Sequence, residues 1–287
     1  MPILYEDIAK KKKLLTPERI SKYKKWTEDA EKARKISHSL GEKENQYDKA
    51  EELITFYTFA PLEHEKVPKE IRLKVMQEIL SFIDINETIK EAELSFERGL
   101  PPPDKYLKWV SAEVMYHPIR YIREQAKERN KSQEKLEGDT QVDAIIETDN
   151  FLILIEVKFT SDISPYTKFG LTRNQIARLI DVGISEVQSH NKDKKLIVLC
   201  CTPDELFKKR SRLYYYKVRE YSDISNILSD LPWRTIDEIN ENLRKVGWVS
   251  LEKVIEIVYR NTKGYLNVEE FKEAEKFFRE RMLWGFA

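Results

Sequence analysis

The sequence has only two cysteines, and they are neighbours, Cys200 and Cys201, inside an apolar run. Adjacent cysteines cannot staple distant parts of a chain, so a disulfide framework is excluded and a reducing compartment is indicated. Long apolar stretches are missing too. No run is long enough to span a bilayer, and the opening residues, MPILYEDIAKKKK, lack the apolar core of a signal peptide. These absences lead to the expectation of a cytoplasmic protein with no membrane partner. The four histidines, His38, His64, His117 and His190, are scattered without ligand spacing and read as structural or surface residues. A glycine-rich phosphate loop is also absent, which argues against ATP-driven chemistry within this chain. Net charge is zero, with 50 Lys+Arg against 50 Asp+Glu. Only a local patch can therefore mark an acidic partner.

What is present is a strongly charged globular composition, 35% charged and 41% hydrophobic over 287 residues. That length supports one large domain or two modest ones, either with a real core. Residues 1–103 read as helices. Thr16-Pro17 is a cap followed by a first-turn proline, opening a polar helix to about Lys35. Segments 48–59 and 68–83 carry apolar residues at helical spacing, the second at Ile71, Val75, Ile79 and Phe82. The lysines 10–13 read as a solvated face. Pro101-Pro102-Pro103 cannot continue a helix and marks a boundary.

Beyond it, residues 104–116 form an amphipathic helix containing Glu113, with Tyr106, Trp109 and Val110 along one stripe. The next segment, IRYIREQAKERN, fits either a charged helix or a strand beside the one that follows. Residues 171–182 read as a helix with Gly183 as its stop and a further helical piece to His190. KLIVLCC, 195–201, reads as a strand buried on both faces. The window 208–219, KKRSRLYYYKVR, is rich in cations and has three consecutive tyrosines. Lys208, Lys209, Arg210 and Arg212 would suit a surface that tracks a nucleic-acid backbone. The same window also fits a charged helix or edge strand whose alternate tyrosines are core. Residues 235–246, 250–260 and 268–282 read as helices separated by Gly247 and Gly264, suiting a winged-helix-like appendage or a plain helical cap.

The most informative stretch is 141–160, QVDAIIETDNFLILIEVKFT, two apolar strands joined at Asp149-Asn150. With that turn, Asp143 falls opposite Glu156, and Lys158 shares their face because strand side chains alternate. The other face, Val142, Ala144 and Ile146 against Phe151, Ile153, Ile155, Val157 and Phe159, is conventional core. Like charges directly opposed in an antiparallel pair are destabilising. A surface ion pair of Glu156 with Lys158 leaves Asp143 unexplained, whereas a bound cation explains all three.

Asp143, then Glu156-Val157-Lys158 at the end of an apolar strand, resembles the PD-(D/E)xK nuclease superfamily. The resemblance covers about 104–201 and includes the helix-strand-strand-helix-strand order. Arg173-Asn174-Gln175 with Arg178 is similar to the glutamine-bearing helix of many members. Val142 stands where some members carry proline, a position remote from the chemistry. The resemblance implies an α/β (α+β) fold with a restriction-endonuclease-like core, a mixed sheet flanked by helices, at 104–220. Helical regions at 1–103 and 221–287 would flank it. It further implies hydrolysis of DNA, with RNA a less expected substrate, by water activated on Mg²⁺ or Mn²⁺. Asp143, Glu156 and the Val157 carbonyl would be the ligands, Lys158 would orient water or stabilise the transition state, and Glu113 would reach the metal through water or hold a second ion. Gln175 would position water or a phosphate, and Arg173 and Arg178 would contact the strand. Many members act as dimers, so a homodimer is compatible with the resemblance. A catalytically silent nucleic-acid-binding or assembly module on the same core is the competing expectation.

Overall fold

The computed structural model describes residues 3–36, 50–190 and 193–285. The protein is α/β, organised around one five-stranded mixed sheet in the order β1-β2-β3-β4-β5. These strands are Ala92–Leu100, Thr140–Thr148, Phe151–Val157, Lys195–Thr202 and Leu243–Ser250. β1, β2 and β3 run antiparallel, and β4 and β5 follow β3 in parallel. β3 is the middle strand, and all seven residues of FLILIEV are buried. That explains an uninterrupted apolar run where a one-sided strand would alternate.

The β2–β3 hairpin has the register expected from its turn: Ala144 pairs with Ile155, Ile146 with Ile153 and Glu147 with Leu152. Thr148 closes the turn, its Oγ1 accepting the N–H groups of Asn150 and Phe151 at 3.2 and 2.8 Å. Asp149 accepts the Lys90 N–H at 2.8 Å, which ties the turn to the segment leading into β1.

Helices cover both faces. On one lie α1 (Glu6–Lys11), α2 (Pro17–Ile36), α3 (Glu51–Phe59) and α4 (Lys69–Ser81), joined by two helices from the far end of the chain, α12 (Leu251–Thr262) and α13 (Val268–Arg279). Ala144, Ile146, Ile153, Ile155 and Val157 point into this core, and Phe159 packs against it. Burial of each such isoleucine or valine is worth about 1.5–3 kcal/mol, an upper range for a chain already partly collapsed when unfolded. The opposite face carries α7 (Gln175–His190), α9 (Leu213–Glu220), α10 (Ile224–Asp230) and α11 (Ile236–Asn242) over Ile145, Leu152, Leu154 and Val198. A small satellite core lies between α5 (Asp104–Glu113) and α6 (Arg120–Lys131) around Tyr106, Val110, Ala126 and Phe169.

Several expectations change. Residues 92–100 are a strand rather than part of an all-helical first region. β1 is an edge strand whose Leu94 and Phe96 alternate with Glu93, Ser95 and Glu97, too few apolar residues to stand out among helices. IRYIREQAKERN resolves as helix α6, with only Ala126 buried. The stretch 235–246 splits at Asn242 into α11 and the opposite edge strand β5, so Gly247 lies within a strand. The sheet thus extends past both 104 and 220, and the terminal helices share one core with it. Gly183 is no stop. It lies inside α7, where an added Cβ would stand 2.5 Å from Leu196 Cδ1 on β4.

Val142, expected beside Ala144, packs in the α7-side core instead. β1 is irregular at that level: Glu97 has φ 49°, and regular pairing passes from Phe96–Ala144 to Arg98–Val142 without a Glu97–Asp143 pair. Among the described residues, no helix is long and apolar enough to cross a membrane.

Candidate active site

The C-terminal end of β3 brings four polar side chains together on the α7 side of the sheet. Asp143, near the start of β2, turns one oxygen to the backbone: its Oδ2 accepts the Val157 N–H at 2.8 Å. The N–H and C=O of one extended residue point the same way, so the Val157 carbonyl also faces the Asp143 side. Glu156 is 1% exposed. Its Oε1 lies 2.7 Å from Lys158 Nζ and accepts a hydrogen bond from Gln175 Nε2. Its Oε2 is buried and has no hydrogen-bond partner among the described residues.

Gln175 is the first residue of α7. Its backbone N–H donates to Ser164 O at 2.9 Å, and its Oε1 accepts the Ser164 N–H at 3.2 Å, so the amide that reaches Glu156 is fixed from both sides. Asn174 supports it from behind. Its Oδ1 accepts the Ala177 N–H at 3.1 Å in the α7 first turn, while its Nδ2 donates to Tyr221 Oη at 2.6 Å and Asp230 Oδ2 at 2.9 Å.

A fifth residue completes the group, and it comes from the opposite layer. Glu51 opens α3, and its Oε2 lies 3.2 Å from Lys158 Nζ. Its Oε1 accepts the Phe159 N–H at 2.8 Å and the Ser161 hydroxyl at 2.7 Å. Lys158 is thereby clamped between two carboxylates, and its own N–H donates to Cys201 O at 2.9 Å. The start of the expected 48–59 helix, including Asp48, lies outside the described residues.

The electrostatics follow from burial. Desolvation, then the nearby Glu156, raise the Asp143 carboxyl well above its usual value; Lys158 and the Val157 N–H oppose this. Desolvation raises Glu156 too, against the pull of Lys158. Burial alone would lower Lys158, but Glu156, Glu51 and Asp143 outweigh it and hold the ammonium above its ordinary range. Lys158 is therefore a fixed positive charge and not a proton acceptor at neutral pH.

These residues fit a hard divalent cation. Two carboxylates whose charge is desolvated, an unpartnered buried Glu156 oxygen and a carbonyl on the same side make an all-oxygen donor set in which a cation would relieve the cost of burial. Among the described residues, no three His, Cys, Asp or Glu side chains stand close enough to cage an ion by themselves. Mg²⁺ keeps several waters and commonly takes one or two carboxylates, so a full cage is not what it needs.

Other expected site residues fall elsewhere. Glu113 is exposed at the end of α5 and lines a separate cavity with Trp109 and His117. Residues 92–100 are the first strand, and among the helix glutamates before it the structure brings Glu51 of α3, and not Glu113, to Lys158. Arg173 is fully buried, paired with Glu137 and with Asp181 at 2.8 Å and lying 4.0 Å over the Tyr106 ring. It holds the approach to α7 and has no surface to offer a ligand. Arg178, one turn after Gln175, is half-buried. Its Nε has no partner, and its guanidinium forms no ion pair among the described residues.

The basic window is mostly structural. Lys208 and Lys209 pair along the short helix α8 (Asp204–Lys208) with Asp204 and Glu205. Tyr214 and Tyr215 are core, and only Tyr216 is exposed. Arg210 lies 5.8 Å from the Tyr215 ring, and Arg212 precedes α9. One link to the site exists: Asp162, in the loop after Lys158, accepts the Leu213 and Tyr214 N–H groups at 2.6 and 3.2 Å.

No family model, no curated protein and no solved structure matches the chain.

Proposed function

We propose that this chain is a metal-dependent phosphodiesterase that hydrolyses DNA, with a core that resembles the PD-(D/E)xK nucleases. The observation that carries this reading is the buried, unpartnered Glu156 Oε2 next to a desolvated Asp143, with a charged Lys158 fixed beside them. A protein core has no use for that arrangement. A Mg²⁺ or Mn²⁺ ion held by Asp143, Glu156 and the Val157 carbonyl would lower the pKa of water and offset charge on the scissile phosphate.

The chain's own groups supply the rest. Water oxygen adds to phosphorus, the ester P–O bond breaks, and a proton from the water ends on the departing sugar oxygen, which leaves as an alcohol; negative charge builds on the phosphoryl oxygens along the way. Lys158 keeps its proton and donates to those oxygens or to the attacking water, as a preorganised positive charge. Glu51 and Gln175 restrict where Lys158 and Glu156 can sit. Arg178 lies one helical turn from Gln175 with free donors, which suits a phosphate of the bound strand. The buried, unpaired Cys200 and Cys201 agree with a reducing, cytoplasmic setting.

The decisive experiment compares wild type with Asp143→Ala and Lys158→Ala on single-stranded, duplex and branched DNA, with Mg²⁺ or Mn²⁺. The corresponding RNA is the control. Loss of cleavage in both variants is expected, and cleavage that persists in both overturns the reading. A second reading is favoured by one observation. Lys158 already bridges Glu156 and Glu51, so part of the negative charge of the site is offset from within the protein. A silent DNA-binding module would show salt-dependent affinity that ignores divalent metal.

A further inference from the structure

The chain leaves β3 before Lys158 and enters α7 at Gln175, and the loop between them meets α5 and α6 on its way. Phe169 of this loop packs in the satellite core, and its neighbours Leu171 and Thr172 border the same cavity as Trp109 and Tyr116. Lys168 Nζ lies 5.5 Å from the Phe169 ring centroid and 5.9 Å from that of Tyr121 on α6, so one ammonium serves both rings. Tyr116 and Tyr121 are thus both neighbours of Phe169, and both protrude, 84% and 64% exposed. Neither ring supports the core. A cluster of exposed aromatic surface of this kind marks an interaction site.

The charge around these rings selects the partner. The protein has no net charge, yet α6 carries Arg120, Arg123, Lys127, Arg129 and Lys131 against only Glu124 and Glu128. Lys127 pairs with Glu124 at 3.0 Å, whereas Arg129 reaches Glu134 only at 4.0 Å and lies 5.5 Å from the Phe169 ring. Arg120 and Lys131 are exposed, and with Lys168 they form no ion pair among the described residues. A polyanion fits this charge. A duplex hides the faces of its bases, so protruding rings gain nothing from it. A single strand offers those faces for stacking.

We propose that Tyr116, Tyr121 and Lys168, with the cations of α6, form a surface that binds single-stranded DNA by stacking, whatever its base sequence, and so selects substrates that are single-stranded beside the cut. The selection of substrates rests on the phosphodiesterase reading; the binding does not. The surface adjoins the site. Thr172 lies three residues before Gln175, a reach of at most about 11 Å, and Gln175 donates to Glu156. A strand on the two rings is therefore only a few nucleotides from the bond that the site would hold. This puts strand binding on α6 and not on the window 208–219, where Lys208 and Lys209 are taken by Asp204 and Glu205.

The test is equilibrium binding of a fluorescently labelled DNA strand of mixed sequence to the full chain with chelator present, so that no cleavage intervenes. The single strand is expected to bind about tenfold or more tightly than the same strand annealed to its complement. Tyr116→Ala combined with Tyr121→Ala is expected to remove about tenfold or more of the single-strand affinity and leave the duplex affinity as it was. Its melting temperature should stay within about two degrees of wild type, because both rings are exposed. Tyr116→Phe with Tyr121→Phe keeps the rings and is expected to bind as wild type does. Duplex bound as tightly as the single strand, or an alanine pair that keeps the single-strand affinity, overturns the proposal. So does a dimer in light scattering that the alanine pair dissolves, since a second copy would then cover the rings. Cleavage is read separately, with metal. Strand preference without cleavage leaves the surface standing and removes the phosphodiesterase reading, and cleavage with equal affinity for strand and duplex does the reverse.

Discussion

The Glu51 carboxylate joins the first residue of α3 to the end of β3 across 107 positions of sequence, taking the Lys158 ammonium at 3.2 Å and the Phe159 N–H at 2.8 Å. It ties the two layers of the protein together at the point where the candidate chemistry lies. One oxygen orients the ammonium, and the other fixes the backbone that follows it. Groups that orient a site from behind commonly contribute 10–100-fold to metal affinity or activity. Glu51→Gln retains the contacts to Phe159 and Ser161 but loses the negative charge that faces the Lys158 ammonium. It is expected to lower single-turnover cleavage about tenfold, with Glu51→Ala about 100-fold lower. Unchanged turnover in the alanine variant would remove Glu51 from the site.

Desolvated acids that repel each other hold stability in reserve for a ligand. Asp143→Asn keeps an oxygen for the Val157 N–H and removes one of two facing negative charges. It is expected to stabilise the metal-free protein by about 1–2 kcal/mol while abolishing cleavage, the usual exchange between a working site and a stable one. Lys158→Met goes the other way. It strands Glu156 and Glu51 without their shared cation, and breaking a buried pair costs about 3–5 kcal/mol. Urea unfolding with chelator present measures both, and a destabilised Asp143→Asn protein would contradict the repulsion argument.

The β2–β3 hairpin was legible in the sequence from Ala144–Ile155 to Glu147–Leu152, because turn residues and the two-residue period fix that register. The ladder stops short of Asp143, and Val142 lies on the other face from the one expected. Asp143, Glu156 and Lys158 do come together, but through the Asp143 carboxylate on the Val157 N–H and the Lys158 contact to Glu156, with no direct Asp143–Glu156 strand pair. Glu51 was not legible: it is one glutamate among many at a helix start, and only tertiary packing brings it to Lys158. β1 is an edge strand with few apolar residues and carries little pattern, and without it the sequence places Glu113 on the helix preceding the sheet. Arg173 illustrates a different limit. A cation next to a candidate site residue looks functional until its burial against Glu137 and Asp181 is seen.

Glycine is common at helix stops, which is what the sequence pattern predicts for Gly183, but its role in the structure is close approach. α7 presses onto β4 so tightly that a Cβ would stand 2.5 and 2.8 Å from the two Leu196 methyls and 3.0 Å from Leu154 Cδ1. Gly183→Ala should gain about 1 kcal/mol of helix propensity and lose more to overpacking, for a net destabilisation of about 1–2 kcal/mol. Gly183→Ala combined with Leu196→Val, which relieves the clash, should recover part of the loss. Chemical unfolding of both variants gives the answer, and full stability in Gly183→Ala alone would mean the two elements separate easily.

Glu97 gives a pH dependence away from the site. Its carboxyl is raised above 4.5, first by burial and then by the charge of Glu52, against the Tyr23 hydroxyl it accepts and the Arg19 and Lys22 charges. A carboxyl with a higher pKa in the folded state binds its proton more tightly there. Its stability contribution is therefore complete below the unfolded value near 4.5 and is lost as pH rises through the folded value. Glu97→Gln should flatten this part of the curve, so that the variant gains on wild type as pH rises from 4.5 toward neutrality. Parallel pH–stability curves for the two proteins would show that Glu97 carries no such linkage.

Arg178 separates the strand-binding role from the chemistry. Burial lowers its pKa, partly offset by Glu137 and Glu156, yet its guanidinium forms no ion pair among the described residues. A guanidinium held half-buried beside two acids, with donors to spare, is suited to a phosphate that enters between them. Arg178→Ala should weaken DNA binding across all sequences about equally and reduce the slope of log affinity against log salt by about 1. The metal requirement of any cleavage should be unaltered, since Arg178 is not a ligand. Fluorescence anisotropy of a labelled strand, titrated at several salt concentrations, reads the slope directly. An affinity loss with an unchanged slope would mean that Arg178 shapes the end of α7 and does not contact the phosphate backbone.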